Sequence, residues 1–349
     1  MNIWLACSGT GGHIVPAHNL AKFLSSQGHK VIWIGASGME QKLVKDFEIV
    51  ALPMKPIRGS RLLNMIMLPV DIIRSLARCL FLSQKQRPDL ICLMGSYVTF
   101  PVGIWGWLTR KPIWLFEQNT ILGMANRLLR SRAQKLFTGL PLEKDSQGST
   151  HIGNLISSIE RRSQYQPKSP IKLLIMGGSR GARSINQEVP KIVAKHFKGR
   201  FEIKHIAGHA LYEETKNVYK STGIKAEVID YCYDMPAMYA WADCIVSRSG
   251  AMSVSEIAMA SLPAILIPFP YATDDHQAHN AEVLVDRGGA IMVRQGKDFE
   301  QHMISALNHF VPEHLTQMHQ WLYGMDMTAQ WHILERELQA REKCLVEQR

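Results

Sequence analysis

The sequence predicts an α/β protein of two Rossmann-like domains, each a doubly wound parallel sheet, facing a central cleft. Three observations predict it. Short apolar runs alternate with helical patterns along all 349 residues. Two glycine-rich turns, Ser8-Gly-Thr-Gly-Gly-His13 and Gly177-Gly-Ser-Arg-Gly-Ala-Arg183, each lie between an apolar run and a helical stretch. A polar stretch at 157–170 (SSIERRSQYQPKSP) separates the halves and reads as a linker. Domains of residues 1–156 and 157–328 follow, with a charged helical run at 329–349 able to pack back on the first.

In the first half the apolar runs place strands at 3–7, 30–34, 90–94, 113–117 and 136–138. Residues 15–27 carry apolar side chains at helical spacing, and Gly28 stands where a helix stops. In the second half strands are expected at 172–176, 202–207, 226–229, 244–247, 264–267 and 290–293. The segment 62–82 stands apart. It is apolar, yet Pro69, Asp71, Arg74 and Arg78 make it a poor membrane-spanning helix. Two readings stay open: an interfacial helix on an anionic lipid surface, or an ordinary helix packed on the sheet. Arg58, Arg61 and two tryptophans read as exposed, Trp105 and Trp107, add weight to the first.

Composition narrows the function. With 46% hydrophobic and 20% charged residues the chain is globular, and its net charge of +10 favours an acidic partner. No Lys/Arg block with interleaved aromatics occurs, so a nucleotide or anionic lipid is preferred to nucleic acid. The six cysteines form no C-x-x-C pair and most sit in apolar runs, which suits a reduced, cytosolic compartment. The first apolar run passes straight into the glycine turn, as a strand does and a signal peptide does not. No G-x-x-x-x-G-K-[ST], no D-x-D and no zinc spacing occur. Neither P-loop chemistry nor a bound metal or other cofactor is expected.

Glycines at a strand-to-helix turn let backbone N–H groups approach a phosphate. His13 at such a turn has the chemistry of a general base, and also of a helix cap or phosphate-binding cation. Glu117, in Phe116-Glu-Gln-Asn119, ends a strand at the ligand-binding rim. A carboxylate there can orient His13 or an acceptor hydroxyl, or simply cap a helix. Gly95-Ser96-Tyr97 ends another strand as a possible third anion loop. In Arg248-Ser-Gly-Ala-Met-Ser-Val-Ser-Glu256 a strand delivers a glycine turn and a helix; Glu256 on its first turns has the chemistry to hold ribose hydroxyls or to serve the helix dipole. Gln277 and Asn280, three apart, share a helix face that can bond sugar hydroxyls or phosphate, or be a solvated helix start.

Together GTGGH (residues 9–13), EQN (117–119), GGSRGAR (177–183), YAWAD…RSGAMSVSE (239–256) and DDHQAHNA (274–281) resemble the MurG family of GT-B glycosyltransferases. The motifs span most of the chain in the family's order. The resemblance implies inverting, metal-independent transfer of N-acetylglucosamine from UDP-GlcNAc to the C4 hydroxyl of the muramyl sugar of lipid I, forming lipid II. It implies a peripheral protein at the cytoplasmic face of the bacterial inner membrane. Carried over, His13 and Glu117 are the catalytic candidates. Gly9, Thr10, Gly11, Gly12, Ser96 and Tyr97 fall on the acceptor-diphosphate side. Thr10, Gly11, Gly12, Asn119, Ser157, Ser179, Ile229, Ala251, Met252, Ser253, Val254, Ser255, Glu256, Gln277 and Asn280 fall on UDP-GlcNAc positions. There the Ile229 backbone reads uracil, Glu256 holds ribose, Ser179 meets phosphate, and Gln277 and Asn280 serve the sugar. Four positions depart from the family pattern, Arg180 in place of a glutamine among them. Phe116 replaces the histidine of HEQN, Ser96 replaces a glycine, and Ser157 stands where an arginine contacts the nucleotide, with Arg180 the compensating charge.

Other functions compete with this one. A GT-B transferase for another UDP-sugar, or an inactive nucleotide-sugar or lipid-headgroup binder, would share these motifs. A dinucleotide oxidoreductase is more distant, since G-T-G-G-H-I lacks the G-x-G-x-x-G spacing.

Overall fold

The computed structural model describes residues 1–349 apart from 10, 37–39, 55–60, 144–147, 157–158, 179–180, 326 and 348–349, and apart from the side chains of 42–43 and 61–66. Two compact units divide it: residues 1–157 with 329–349, and residues 158–328.

Among the described residues the first unit holds seven parallel strands: β1 (Asn2–Ala6), β2 (Lys30–Gly35), β3 (Ile49–Ala51), β4 (Leu90–Leu93), β5 (Ile113–Glu117), β6 (Lys135–Thr138) and β7 (Ser149–His151), in the order β3-β2-β1-β4-β5-β6-β7. The second holds β8 (Ile171–Met176), β9 (Phe201–Ile206), β10 (Glu227–Ile229), β11 (Cys244–Ser247), β12 (Ala264–Leu266) and β13 (Ala290–Met292), in the order β10-β9-β8-β11-β12-β13. The central strands β4, β5, β11 and β12 are short runs buried on both faces, as parallel strands must be when helices cover both sides. Strand order reverses between β1 and β4 and again between β8 and β11, and in such sheets ligands bind at those crevices.

Among the described residues the first sheet is accompanied by α1 (Gly11–Ser26), α2 (Glu40–Leu43), α3 (Arg61–Lys85), α4 (Thr99–Leu108), α5 (Met124–Leu129), and, far along the chain, a C-terminal helix considered below. The second sheet carries α6 (Arg183–His196), α7 (Tyr212–Thr222), α8 (Met235–Trp241), α9 (Ala251–Met259), α10 (His276–Val285), α11 (Phe299–Asn308) and α12 (Pro312–Tyr323). The C-terminal helix, α13 (Trp331–Glu347), packs on the first unit. Its Leu334 and Leu338 join the core around Ile14, Trp114 and Phe116, and Trp331 lies 4.8 Å from the Phe23 ring.

α3 runs unbroken through Pro69 and has two faces. Ser75 and Cys79 are buried and Leu68, Leu76 and Leu82 pack on the core, while Met67, Val70, Ile73, Leu80 and Phe81 are exposed. The inner side fits the reading of a helix packed on the sheet, and the outer side leaves apolar side chains exposed. Trp105 corrects its expectation. It is buried, stacked on Trp4 at 4.7 Å, because its place on α4 faces the sheet. Trp107 is exposed, with the Arg132 guanidinium 4.4 Å from its ring.

The stretch read as a linker is fastened to the second unit. Arg161 donates to the carbonyls of Tyr323 and Met325, and Arg162 to those of Tyr239, Ala240 and Ala242, capping the ends of α12 and α8. Tyr165 stacks on His319 at 4.2 Å and its hydroxyl donates to the Asp243 carbonyl. Deeper in that unit, His205 on β9 is fully buried between Tyr219 Oη (2.9 Å) and Asn186 Oδ1 (3.1 Å). The Asn186 amide donates onward to the Ala207 carbonyl and Thr215 Oγ1. That fixes the proton on Nε2 of His205, with Tyr219 donating to Nδ1.

Candidate active site

His13 stands on the first turn of α1, and three loops at the switch between β1 and β4 close on its ring. A Cβ added to Gly9 (φ +113°) would lie 3.7 Å from His13 Cδ2, and one on Gly95 (φ +81°) 3.3 Å from Cε1. Glycine suits both the left-handed backbone and the close approach. Gln118, the residue after β5, places Oε1 3.0 Å from His13 Nδ1. Its Nε2 donates to the Met94 carbonyl at 3.4 Å, which turns the amide oxygen toward the ring. His13 therefore donates through Nδ1–H. The neutral imidazole carries its lone pair on Nε2, the atom left to accept a proton.

Glu117 has a different task. It is buried, with Oε1 accepting from the Asn119 N–H (3.1 Å) and Asn119 Nδ2 (3.0 Å). Its Oε2 accepts from the Gly123 N–H (2.8 Å) and Asn126 Nδ2 (2.9 Å). Four donors from its own loop fill the carboxylate, which shapes the turn after β5. Of the readings open for Glu117, these bonds fit the capping one, and the partner of His13 is Gln118. Strand alternation is the cause. Trp114 and Phe116 face the layer that holds α1, and Gln118, two residues on, keeps that face. Sequence reasoning passed over Gln118 although this parity was available to find it.

Beside His13, Ser8 Oγ lies 3.0 Å from Glu40 Oε1 and 3.2 Å from Tyr97 Oη. The single serine proton goes to the carboxylate, so Tyr97 donates to Ser8. Ser96 adopts a left-handed φ of +79°, the conformation a glycine would hold without strain, and its Oγ has no hydrogen-bond partner among the described residues. Ser96→Gly is expected to stabilise the fold by about 1 kcal/mol, read as a raised Tm. A Tm that falls would show that the serine is not strained. Gly11 and Gly12 open α1, so they belong to the turn whose N–H groups no helix carbonyl uses. Thr10, Ser157, Ser179 and Arg180, like Arg58, lie outside the described residues.

The second cluster gathers after β8 and β11. A Cβ on Gly177 would meet the Ala182 nitrogen at 2.2 Å, and one on Gly181 (φ +72°) the Ala207 oxygen at 2.0 Å. Only glycine fits either place. Arg248, at the end of β11, is buried. Its Nη1 donates to the carbonyls of Ile267 and Pro268 and to Gln295 Oε1, and its Nη2 to Ser184 Oγ on α6. Burial pulls it down to about 10, so at neutral pH it remains a fixed cation beside the start of α6.

α9 begins at Ala251 after Gly250, with no side-chain cap, and this leaves the N–H groups of Ala251, Met252 and Ser253 open. Val254 and Ser255 are buried against the unit, while Glu256 is half-buried. Burial pushes the Glu256 carboxyl up, and a hydrogen bond from Tyr239 opposes the rise. Ile229 ends β10 with its carbonyl already accepting from the Ala207 N–H at 2.8 Å. Gln277 Oε1 accepts from the Phe269 N–H at 2.9 Å. Asn280 corrects its expectation of direct sugar contact. It is fully buried on the inner face of α10 and donates to the Ser249 carbonyl at 3.2 Å, so it holds the 248–250 turn. Among the described residues no group of three His, Cys, Asp or Glu is placed to hold a metal ion.

Two doubly wound parallel sheets, each with a glycine turn at its switch point, are the architecture of the GT-B fold. The chain belongs to glycosyltransferase family 28 and, within it, to the MurG family. The description "Glycosyltransferase family 28 N-terminal domain" matches residues 3–138, and the corresponding C-terminal domain matches residues 172–321. The chain is 36% identical over 305 residues to a protein of Dechloromonas aromatica, covering 84% of this chain and 86% of that one. It is 32% identical over 337 residues to one of Alkalilimnicola ehrlichii, covering 93% and 94%. Both are named UDP-N-acetylglucosamine–N-acetylmuramyl-(pentapeptide) pyrophosphoryl-undecaprenol N-acetylglucosamine transferase. Among solved structures, Acinetobacter baumannii MurG superposes with a TM-score of 0.80 at 26% identity over 96% of this chain and 98% of that one.

Proposed function

We infer that this chain transfers N-acetylglucosamine from UDP-GlcNAc to the C4 hydroxyl of the muramyl sugar of lipid I, forming lipid II. The observation that carries the mechanism is the open Nε2 of His13, oriented by Gln118 where three loops meet. In the step proposed, His13 Nε2 takes the C4 hydroxyl proton as its oxygen attacks the anomeric carbon. The bond from that carbon to the β-phosphate oxygen breaks, UDP departs with the electron pair, and the configuration inverts. No metal or other cofactor enters this scheme. N–H groups opening α6 and α9 and the fixed charge of Arg248 favour the departing diphosphate.

On the donor side we assign Glu256 to the ribose, Ser179 to phosphate, Gln277 to the sugar and the Ile229 backbone to uracil. Asn119, Ala251, Met252, Ser253, Val254 and Ser255 are further donor positions. Thr10, Gly11 and Gly12, with Gly9, Ser96 and Tyr97, serve the acceptor diphosphate. The test is UDP release from UDP-GlcNAc with and without a lipid I analogue. Release that depends on the acceptor supports the reading; turnover with another UDP-sugar alone overturns it.

We further propose peripheral association with the anionic cytoplasmic face of the bacterial inner membrane. No helix among the described residues is long and apolar enough to cross a membrane. The outer face of α3 instead sets Ile73, Leu80 and Phe81 beside Arg74 and Arg78, with Lys85 5.0 Å from the Phe81 ring. Co-sedimentation with anionic vesicles is expected to weaken with salt, and to drop several-fold in Arg74→Glu/Arg78→Glu. Equal sedimentation of the two proteins would sink the proposal. A nucleic-acid partner is not part of it.

A further inference from the structure

Tyr239 lies on α8, one of the shorter helices of the second unit, yet it is held at both ends. Asp234 caps the start, its Oδ1 accepting from the Ala237 N–H at 3.1 Å. At the other end Arg162 donates to the carbonyls of Tyr239 (3.3 Å), Ala240 and Ala242 (2.6 Å), and its Nη1 lies 3.4 Å from Asp243 Oδ1. The tyrosine ring between these clamps is 1% exposed. Its hydroxyl donates to Glu256 Oε2 at 2.7 Å.

A buried tyrosine needs a partner for its hydroxyl, and many find a backbone carbonyl. This one has found the single carboxylate of α9, on the helix whose open N-terminus marks the donor side. A free glutamate side chain turns about its last torsion, because that torsion is broad. A hydroxyl donor fixed by the fold removes this freedom. With Oε2 occupied from the protein side, Oε1 is the oxygen left to accept from a ligand.

We propose that Tyr239 is the positioning residue for Glu256, fixing its carboxylate so that Oε1 accepts from the ribose hydroxyls of the nucleotide. The inference rests on the assignment of Glu256 to the ribose. Tyr239 then acts as a specificity determinant for ribonucleotide over deoxyribonucleotide sugars without touching either. Loss of its hydroxyl leaves a partly buried carboxylate with no hydrogen bond to set its plane, so the diol meets a rotating acceptor. Binding through a charged hydrogen bond is worth roughly tenfold or more in affinity.

The experiment compares UDP-GlcNAc with dUDP-GlcNAc as donors for the full-length protein, for Tyr239→Phe and for Glu256→Gln. Tyr239→Phe is expected to raise KM for UDP-GlcNAc about tenfold with kcat changed less than threefold. It should also move the ribose-to-deoxyribose preference in kcat/KM toward that of Glu256→Gln. In the double variant the tyrosine change should then add almost nothing. A purely structural tyrosine would lower Tm and total activity yet leave the preference ratio intact, and that result overturns the proposal. If Glu256→Gln itself leaves the ratio intact, the ribose assignment fails, and the proposal fails with it in a distinguishable way. Should Tyr239→Phe not fold, Arg162→Met keeps both the Tyr239 hydroxyl and the Glu256 carboxylate but frees the carbonyl end of α8, which loosens the hold on the Tyr239 ring. It is expected to lower the same ratio, and an unchanged ratio counts against the proposal.

Discussion

Replacing His13 by alanine is expected to lower kcat by about 10²–10⁴-fold, the usual worth of a positioned general base. KM for UDP-GlcNAc should change little, because Glu256, Gln277 and the Ile229 backbone, assigned to the ribose, sugar and uracil, lie in the second unit. Gln118→Leu should follow it at a smaller scale. Without the Oε1 acceptor the ring is free to place its proton on either nitrogen, so only part of the population keeps the lone pair on Nε2. The two effects are expected to be non-additive, since Gln118 acts only through His13. Steady-state rates of UDP release for the two single variants and the double variant read this directly. A loss below threefold in His13→Ala would remove the histidine from the role and return the assignment to another group.

Acidification should strip stability from the second unit through His205. Burial pulls this histidine down to about 3, and its partners Tyr219 and Asn186 are neutral, so nothing nearby retains a proton. The unfolded chain binds a proton near 6.5 while the folded unit stays neutral until about 3. Stability contributed by the neutral histidine is complete above 6.5 and drains away as pH falls toward 3, by about 4–5 kcal/mol in all. Urea midpoints at pH 7 and pH 4.5 test it against His205→Gln. The variant starts lower at pH 7, having lost a bonded network, yet should show the shallower decline. Parallel slopes would mean that carboxylates alone set the acid sensitivity.

The sheets were legible because buried parallel strands are nearly pure apolar runs. Eleven of the observed strands coincide with such runs. β3 and β7 escaped because each is a three-residue edge strand of half-buried residues: Ile49-Val-Ala is apolar but too short to stand out, and Ser149-Thr-His carries no apolar run at all. The glycine turns were legible for a stronger reason: at Gly177 and Gly181 the fold leaves no space for a Cβ. Side-chain pairings were less accessible. Glu117 draws the eye as the acidic residue at a strand end, but its four donors arise from how the following loop folds back, which no local pattern announces. Asn280 is hidden in the same way, its polarity consumed by Ser249.

The strap formed by Arg161, Arg162 and Tyr165 bears on how such enzymes exchange their parts. A graft of the second unit that began at Ile171, where the first regular strand starts, would arrive without the guanidinium caps on α8 and α12 and without the ring that covers His319. The unit that can be inherited whole, shuffled or fused therefore begins more than a dozen residues before its sheet does. A crossover within the strap would separate a helix from the arginine that ends it, whereas one upstream of the strap would keep both caps.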